Sequence, residues 1–191
     1  MDYLDLDLSV TAEDMALRQA AQKFAAEVMR PVAKKLDGMS AEAAIASDSP
    51  LWDFLKAAFE QGYHCFYLPA DVGGADLSPL QTHIVTEELG WGSFGLTILL
   101  SVISMPFALI AARARLTGDM TLADRFVRPF CECKDGSIRG CWAITEAEHG
   151  SDLIACDEEI FSKPDMRWNV RARQDGAEWV INGQKAAWVS G

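Results

Sequence analysis

From position 11 onward, apolar residues recur at helical spacing. Thr11 precedes Ala12-Glu13-Asp14, a hydroxyl followed by acids, which suits the free amides and positive end of a helix start. Leu17, Ala21, Phe24, Val28, Val32 and Leu36 then step by three or four, forming one stripe on a long helix. Pro31 interrupts the stripe and predicts a kink, because its ring crowds the preceding turn and it has no amide to donate. Residues 37–48, rich in Ala and Ser, predict an irregular link. Ser49-Pro50 starts a second helix, Leu51, Leu55 and Ala58 face its core, and Gly62 stands where a left-handed C′ residue belongs.

Tyr63–Leu68 reads as an aromatic link and Pro69–Ala75 as a turn. Gly73-Gly74 lacks the strand and Gly-x-Gly-x-x-Gly of a nucleotide loop, so it reads as helix-to-helix punctuation. Ser78-Pro-Leu-Gln81 is a capping box opening a third helix, expected to end at Gly90. Glu87 and Glu88 are adjacent there; neighbours on a helix point about 100° apart, so they read as solvated or capping groups, not one acidic site. A fourth helix spans Phe94–Leu116, bent at Pro106. Thr121 caps a fifth with Leu122, Phe126 and Val127 inward, ending near Arg128-Pro129. Residues 1–138 are therefore an all-α domain.

After that the period changes. Cys141–Thr145 is apolar and β-compatible, and Trp168–Arg173 alternates. Asp175-Gly176 and Asn182-Gly183 then punctuate Trp179–Ile181 and Ala186–Val189, which is a hairpin signature. Residues 139–191 open an antiparallel β domain, and the fold class is α+β. So few strands cannot bury a core of their own, so the sheet must pair with something further.

Composition narrows the function classes. The 191 residues are 50% hydrophobic and 24% charged, with a net charge of −11. That balance argues against nucleic acid and anionic membrane surfaces, which need a basic face, but not against a polyanionic coenzyme held by local donors. Residues 89–112 carry no charge and are long enough to span a bilayer. Three glycines, Pro106 and four hydroxyls interrupt them, so a buried central helix of a soluble bundle fits better. Five cysteines, 65, 131, 133, 141 and 156, accompany a start without a basic or apolar leader pattern. A reducing, cytoplasmic setting is the expectation. Cys131-Glu-Cys133 has no second pair at metal-finger spacing, and no metal is expected.

The richest stretch is Gly140-Cys-Trp-Ala-Ile-Thr-Glu-Ala-Glu-His-Gly-Ser-Asp152. An apolar run leading into a Thr- and Gly-bearing loop can seat a flat heterocycle, with backbone groups and a hydroxyl at its polar edge. Ser151 lacks a Gly-x-Ser-x-Gly elbow and is not read as a nucleophile. The stretch resembles the flavin-contacting motif of the acyl-CoA dehydrogenase family. Leu68-Pro-Ala-Asp-Val-Gly-Gly74, Glu87-Glu-Leu-Gly90 and Ile181-Asn-Gly-Gln-Lys-Ala-Ala-Trp-Val-Ser190 resemble further family segments, in the family's order.

The resemblance implies a β domain that binds FAD beside a helical domain that covers an acyl-CoA. A carboxylate base would remove the α-proton and the β-hydride would pass to flavin. Carried over by position, Trp142, Ile144 and Thr145 line the isoalloxazine. Gly150 and Ser151 approach FAD or the coenzyme A pantetheine, Trp188 lies on the flavin face, and Ser190 donates to its edge. Phe94, Ile98 and Met105 of the fourth helix are the expected wall of the acyl pocket. The family's base lies in a C-terminal helical domain, so no catalytic residue is assigned here. An electron-transfer flavoprotein or similar acceptor and a homo- or hetero-oligomer are also implied. Where proline is common after Thr-Glu, this chain has Ala147, then Glu148 and His149; the loop is expected to be less rigid, and His149 to be an exposed loop residue. The His-Gly pairing resembles the related oxidases. The alternatives are a non-catalytic acyl-CoA/FAD-binding subunit or module, and an acyl-CoA oxidase or flavin monooxygenase on the same fold.

Overall fold

A computed structural model of the chain describes residues 10–150, 159–163 and 167–186. It divides into two compact units, Met1–Gly140 and Cys141–Gly191, the first helical, the second carrying a two-stranded antiparallel sheet.

Helix α1 (Ala12–Phe24) starts in a reciprocal cap: the Asp14 amide donates to the Thr11 hydroxyl at 3.2 Å and the Thr11 amide to the Asp14 carboxylate at 2.9 Å. A π-helical turn, Ala25–Met29, leads into α2 (Arg30–Leu36). Pro31 therefore does not break the helix. The Arg30 amide reaches back to the Ala25 carbonyl, and this wider turn makes room for the ring that follows. The device recurs at Ala123–Val127, where the Arg128 amide reaches Ala123 ahead of Pro129. The helix expected to end near Arg128-Pro129 consequently continues as α7 (Arg128–Glu132). Its start differs too: the Asp119 carboxylate accepts the Thr121 amide at 3.0 Å, in place of a Thr121 cap.

The link expected over 37–48 contains a helical turn, α3 (Ala41–Ala44), capped by Ser40. Helix α4 (Pro50–Glu60) is capped by Ser49, and Gly62 follows its end at φ +78°. Helix α5 (Pro79–Gly92) opens in the Ser78/Gln81 box and runs past Gly90. Ser93, in extended conformation, ends it and caps α6 (Phe94–Thr117). Glu88 is neither solvated nor capping. It is buried on α5 and accepts from the Arg18 guanidinium of α1 at 2.7 Å, while Glu87 is exposed.

Helix α6 is long and apolar enough to cross a membrane by length and composition. Within its unit it is a core helix on one side only. Leu96, Leu100, Ile103 and Phe107 are buried, whereas Phe94, Leu109 and Leu116 are exposed, so burial is less complete than the uncharged run suggested. The centre of the core is aromatic. Phe107 stacks on Phe130 at 3.8 Å, His64 meets Phe130 edge-on at 5.0 Å, and Phe59 stacks on His64 at 4.0 Å.

In the second unit, β1 (Arg171–Asp175) pairs antiparallel with β2 (Glu178–Asn182), Arg171 opposite Asn182 and Asp175 opposite Glu178. Gly176 takes φ +61° at the first position of the two-residue loop, as a II′ hairpin requires. Every residue of both strands is exposed, in keeping with a sheet too small to enclose a core. What anchors the hairpin is Glu146, whose side chain is fully buried. Its carboxylate accepts from the Asn169 amide at 2.6 Å, the Val170 amide at 3.0 Å and the Lys185 ammonium at 2.9 Å. Burial alone would raise its pKa; the Lys185 ammonium and the two amides outweigh burial and hold it at about 2.

Two predictions follow from these contacts. A Cβ at Gly92 would meet Ala25 of the π turn at 2.7 Å, whereas one at Gly90 would meet nothing within 4 Å. Gly92→Ala should therefore cost roughly 1–3 kcal/mol by overpacking, and Gly90→Ala should gain roughly 0.5–1 kcal/mol by helix propensity. Urea melts of the two variants compare them directly, and equal effects would refute the close approach. For Glu146, the folded pKa lies below the ordinary value of 4.5. Its contribution is thus complete above about pH 4.5 and lost as pH falls towards about 2. The Asn169 and Val170 amide resonances should shift over that window and stay flat in Glu146→Gln; a midpoint at the ordinary carboxyl value would contradict the clamp.

Candidate functional site

Trp142–Ile144, within the segment Cys141–Gly150, form one side of a cleft in the β unit. The segment is not the regular strand that its apolar run predicts. Strands need successive backbone pairs, and the described residues give 141–145 one backbone bond to a distant segment, from the Ala186 amide to the Thr145 carbonyl at 2.8 Å. A second tie comes from a side chain: Lys185 donates to the Ile144 carbonyl at 3.0 Å. Beyond it, Glu146 and His149 exchange backbone hydrogen bonds at 2.9 and 3.2 Å across Ala147-Glu148. The loop lacks the family's proline and is closed instead by this two-residue turn.

Trp142, Ala143, Ile144, Trp168 and Lys185 line a cavity of about 300 Å³. Two indoles and an aliphatic side chain give flat apolar walls, and one ammonium supplies a cation. The Lys185 ammonium lies 4.8 Å from the Trp168 ring centroid while it holds Glu146. It is therefore held by an ion pair, a carbonyl and a π face together. His149 is not the exposed loop residue expected: it is half-buried, its Nε2 lies 3.1 Å from the Arg167 carbonyl, and its ring sits 5.0 Å from Trp168.

Of the residues anticipated for a flat cofactor, Trp142 and Ile144 line this cavity. Thr145 adjoins them, half-buried, and Gly150 is exposed. Ser151, Trp188 and Ser190 lie outside the described residues. Glu146, Trp168 and Lys185 escaped the sequence reading as site residues. A signal for two of them was present: an acid directly after an apolar run, and a single lysine in the later Asn-Gly-Gln-Lys segment, are opposite charges that a partly apolar unit must pair if it buries either.

In the helical unit, Phe94, Ile98 and Met105 fall within about 40° of one another around α6. Phe94 is 72% exposed and the other two are half-buried. Phe94 also lines a cleft of about 780 Å³ between the α5–α6 junction and α2, where Arg30 lies 4.5 Å over the Trp91 ring. Ile98 and Met105 do not line it.

Known proteins share both the sequence pattern and the fold. The chain is 27% identical over 188 residues to the rat (Rattus norvegicus) short-chain specific acyl-CoA dehydrogenase, mitochondrial, covering 98% of this chain and 39% of that protein. Identity to the Dictyostelium discoideum isobutyryl-CoA dehydrogenase, mitochondrial, is 25%, over 96% of this chain and 38% of the relative. The chain thus spans about two fifths of the length of these relatives. In structure it is similar to a nitroalkane oxidase (TM-score 0.75, 20% identity, 94% of this chain, 38% of that one). It is also similar to glutaryl-coenzyme A dehydrogenase in its glutaryl-CoA complex (TM-score 0.65, 23% identity, 94% and 40%). At such identities these structures speak to fold alone. The helical unit carries the family evidence, because residues 11–131 match the "Acyl-CoA dehydrogenase, N-terminal domain"; the chain belongs to the acyl-CoA dehydrogenase family.

Proposed function

We propose that this chain forms the helical domain and the first flavin-facing segment of a flavin-dependent enzyme that dehydrogenates an acyl-CoA thioester. The observation that carries the reading is the Trp142–Ile144–Trp168 cleft, with Thr145 beside it and Lys185 held at its side. Its residues suit FAD: indole and aliphatic walls match a flat tricyclic ring, and no described residue engages the Thr145 hydroxyl, which leaves it available to a ring heteroatom. When bound, FAD would take up the hydride lost from the β-carbon.

The chain's own residues then have separate tasks. Trp142 and Ile144 exclude water and set the plane of the ring; Thr145 orients its edge; Glu146 keeps the loop closed and Lys185 placed. Glu146 is not the base that removes the α-proton. A carboxylate held at about 2 by three donors is too weak a base for that step. The base is expected from a carboxylate elsewhere in the family's architecture. Phe94, Ile98 and Met105 would face the acyl chain, and Gly150, Ser151, Trp188 and Ser190 keep the cofactor and coenzyme contacts that the resemblance implies. An electron-transfer flavoprotein is the proposed acceptor. A cytoplasmic location and an oligomeric state belong to the same reading. Light scattering and cell fractionation check those two points.

A second reading is a non-catalytic subunit that binds acyl-CoA and FAD through the same cleft. The two readings part on one measurement. Full-length protein should be yellow and should bleach when an acyl-CoA is added anaerobically; a yellow protein that never bleaches supports the binding subunit. Peroxide release in air would mark an oxidase.

Thr145 gives the sharpest test. Thr145→Val keeps the volume but removes the hydroxyl, a loss of roughly 1–3 kcal/mol in a desolvated site. Flavin affinity or reduction rate should then fall roughly 5- to 150-fold, with Thr145→Ser restoring most of it. Stopped-flow reduction beside a melting curve reads both effects. Unchanged binding and unchanged reduction would remove Thr145 from the site.

A further inference from the structure

In the helical unit, α6 carries two hydroxyls beside the stripe proposed for the acyl chain. Thr97 and Ser101 are four residues apart, so they sit one turn above the other on one face. Ser101 lies about 60° around the helix from Ile98 and about 40° from Met105. Thr97 is buried and Ser101 half-buried. Each hydroxyl donates back to its own helix, Thr97 to the Ser93 carbonyl at 2.9 Å and Ser101 to the Thr97 carbonyl at 3.0 Å. A hydroxyl has one proton to give, so both oxygens are left as acceptors.

Both residues line a small pocket shared by the link after α4, by α5 and by α6. Five of its eight wall residues bear a hydroxyl, namely Tyr63, Tyr67, Thr86, Thr97 and Ser101, and the other three are apolar. The free volume is about 10 Å³, room for a single group the size of a water. Tyr63 offers a donor to match the α6 acceptors. Its ring packs against Phe24 at 4.6 Å, and its hydroxyl has no hydrogen-bond partner among the described residues. Burial pushes the Tyr63 phenol up, which keeps its proton in place.

This donor and acceptor set discriminates among the groups that could fill the space. A hydroxyl both donates and accepts, and so answers Tyr63 and the α6 oxygens together. A carboxylate only accepts. It would face the lone pairs of Thr97 and Ser101, and no Lys, Arg or His stands on the pocket wall to offset its lost hydration. A methyl group would fit by size but leave the polar atoms unpaired.

We propose that this pocket is a subsite for a hydroxyl on the distal part of the acyl chain. The substrate class is then acyl-CoA thioesters that are hydroxylated beyond the two carbons that react. The inference rests on the reading of α6 as the acyl wall. Ser101 is the specificity-determining residue, because it borders both the Ile98–Met105 stripe and the pocket. Thr97 adds a second acceptor and Tyr63 the donor.

The test uses full-length protein and straight-chain acyl-CoAs from butyryl to dodecanoyl, each paired with its ω-hydroxy counterpart. Calorimetric titration gives the two dissociation constants of every pair. At the chain length that reaches the pocket, the hydroxylated partner should bind at least about tenfold tighter. Ser101→Ala and Tyr63→Phe should each bring that ratio towards one, and Ser101→Thr should keep most of it. A substitution that only loosens the fold weakens both members of a pair alike, so the ratio reads the subsite itself. Equal affinities in every pair, the result expected if a water alone fills the pocket, overturn the proposal. So does a preference that survives both Ser101→Ala and Tyr63→Phe. The wild-type ratios can overturn it even if a variant fails to fold. Anaerobic bleaching by the unsubstituted acyl-CoAs is followed alongside. Bleaching without any preference for the hydroxyl sinks the subsite and leaves the dehydrogenase reading standing, whereas no binding of any acyl-CoA sinks both.

Discussion

The helical unit depends on one buried contact set, the ring cluster around His64 and Phe130. Phe130 takes the face of Phe107 from α6 and the edges of Phe59 and His64, from α4 and the turn after it. His64 cannot leave that place cheaply, because its Nε2 is bonded to the Phe130 carbonyl and its own carbonyl accepts from Ser104 at 2.6 Å. Ser104 is itself fully buried. Three segments distant in sequence are therefore joined by polar bonds inside an aromatic core, where an unmade bond would cost most. Offset and edge-on rings contribute beyond their buried area.

The two prolines follow from the same demand for continuous helices through a crowded core. Pro31 and Pro129 each follow an arginine, and each is preceded by a π-helical turn beginning at an alanine. The alanine bears on packing as well as on hydrogen bonding. Ala25 is fully buried, and its methyl lies where Gly92 brings α5 closest to it. A larger side chain at either position would part the helices. The Arg18–Glu88 ion pair joins α1 to α5 about one turn before Gly92, so small residues and a charge pair together set how the first long helix lies on α5.

The β unit is held by an ion rather than by a core. Its strands are exposed on both faces, so hydrophobic burial contributes little to their order. The Glu146 carboxylate replaces it by gathering the amides before β1 and the lysine after β2. The residue that closes the fold of this unit thus also places Lys185 beside the proposed ring-binding cleft. A site built this way couples its geometry to a single ionisation, whose low pKa keeps it charged at all physiological pH values.

Much of the fold was written in local pattern. Thr11, Ser49 and Ser78 mark helix starts that the structure keeps, since caps satisfy amides only a few residues away. The α6 run and the Gly176 hairpin are legible for the same reason, as are Trp142 and Ile144 of the cleft, which sit in an ordered family motif. What the pattern misjudged depended on distant partners. Pro129 reads as a stop until a π turn accommodates it, and Glu88 reads as solvated until Arg18 arrives from 70 residues away. Cys141–Thr145 reads as a strand, yet Lys185 and Ala186 hold it in place of a ladder. Spacing along a chain encodes period and capping, because both are settled within a turn or two. Which charge or ring meets which is settled only when the helices pack, and so only the tertiary structure could decide it.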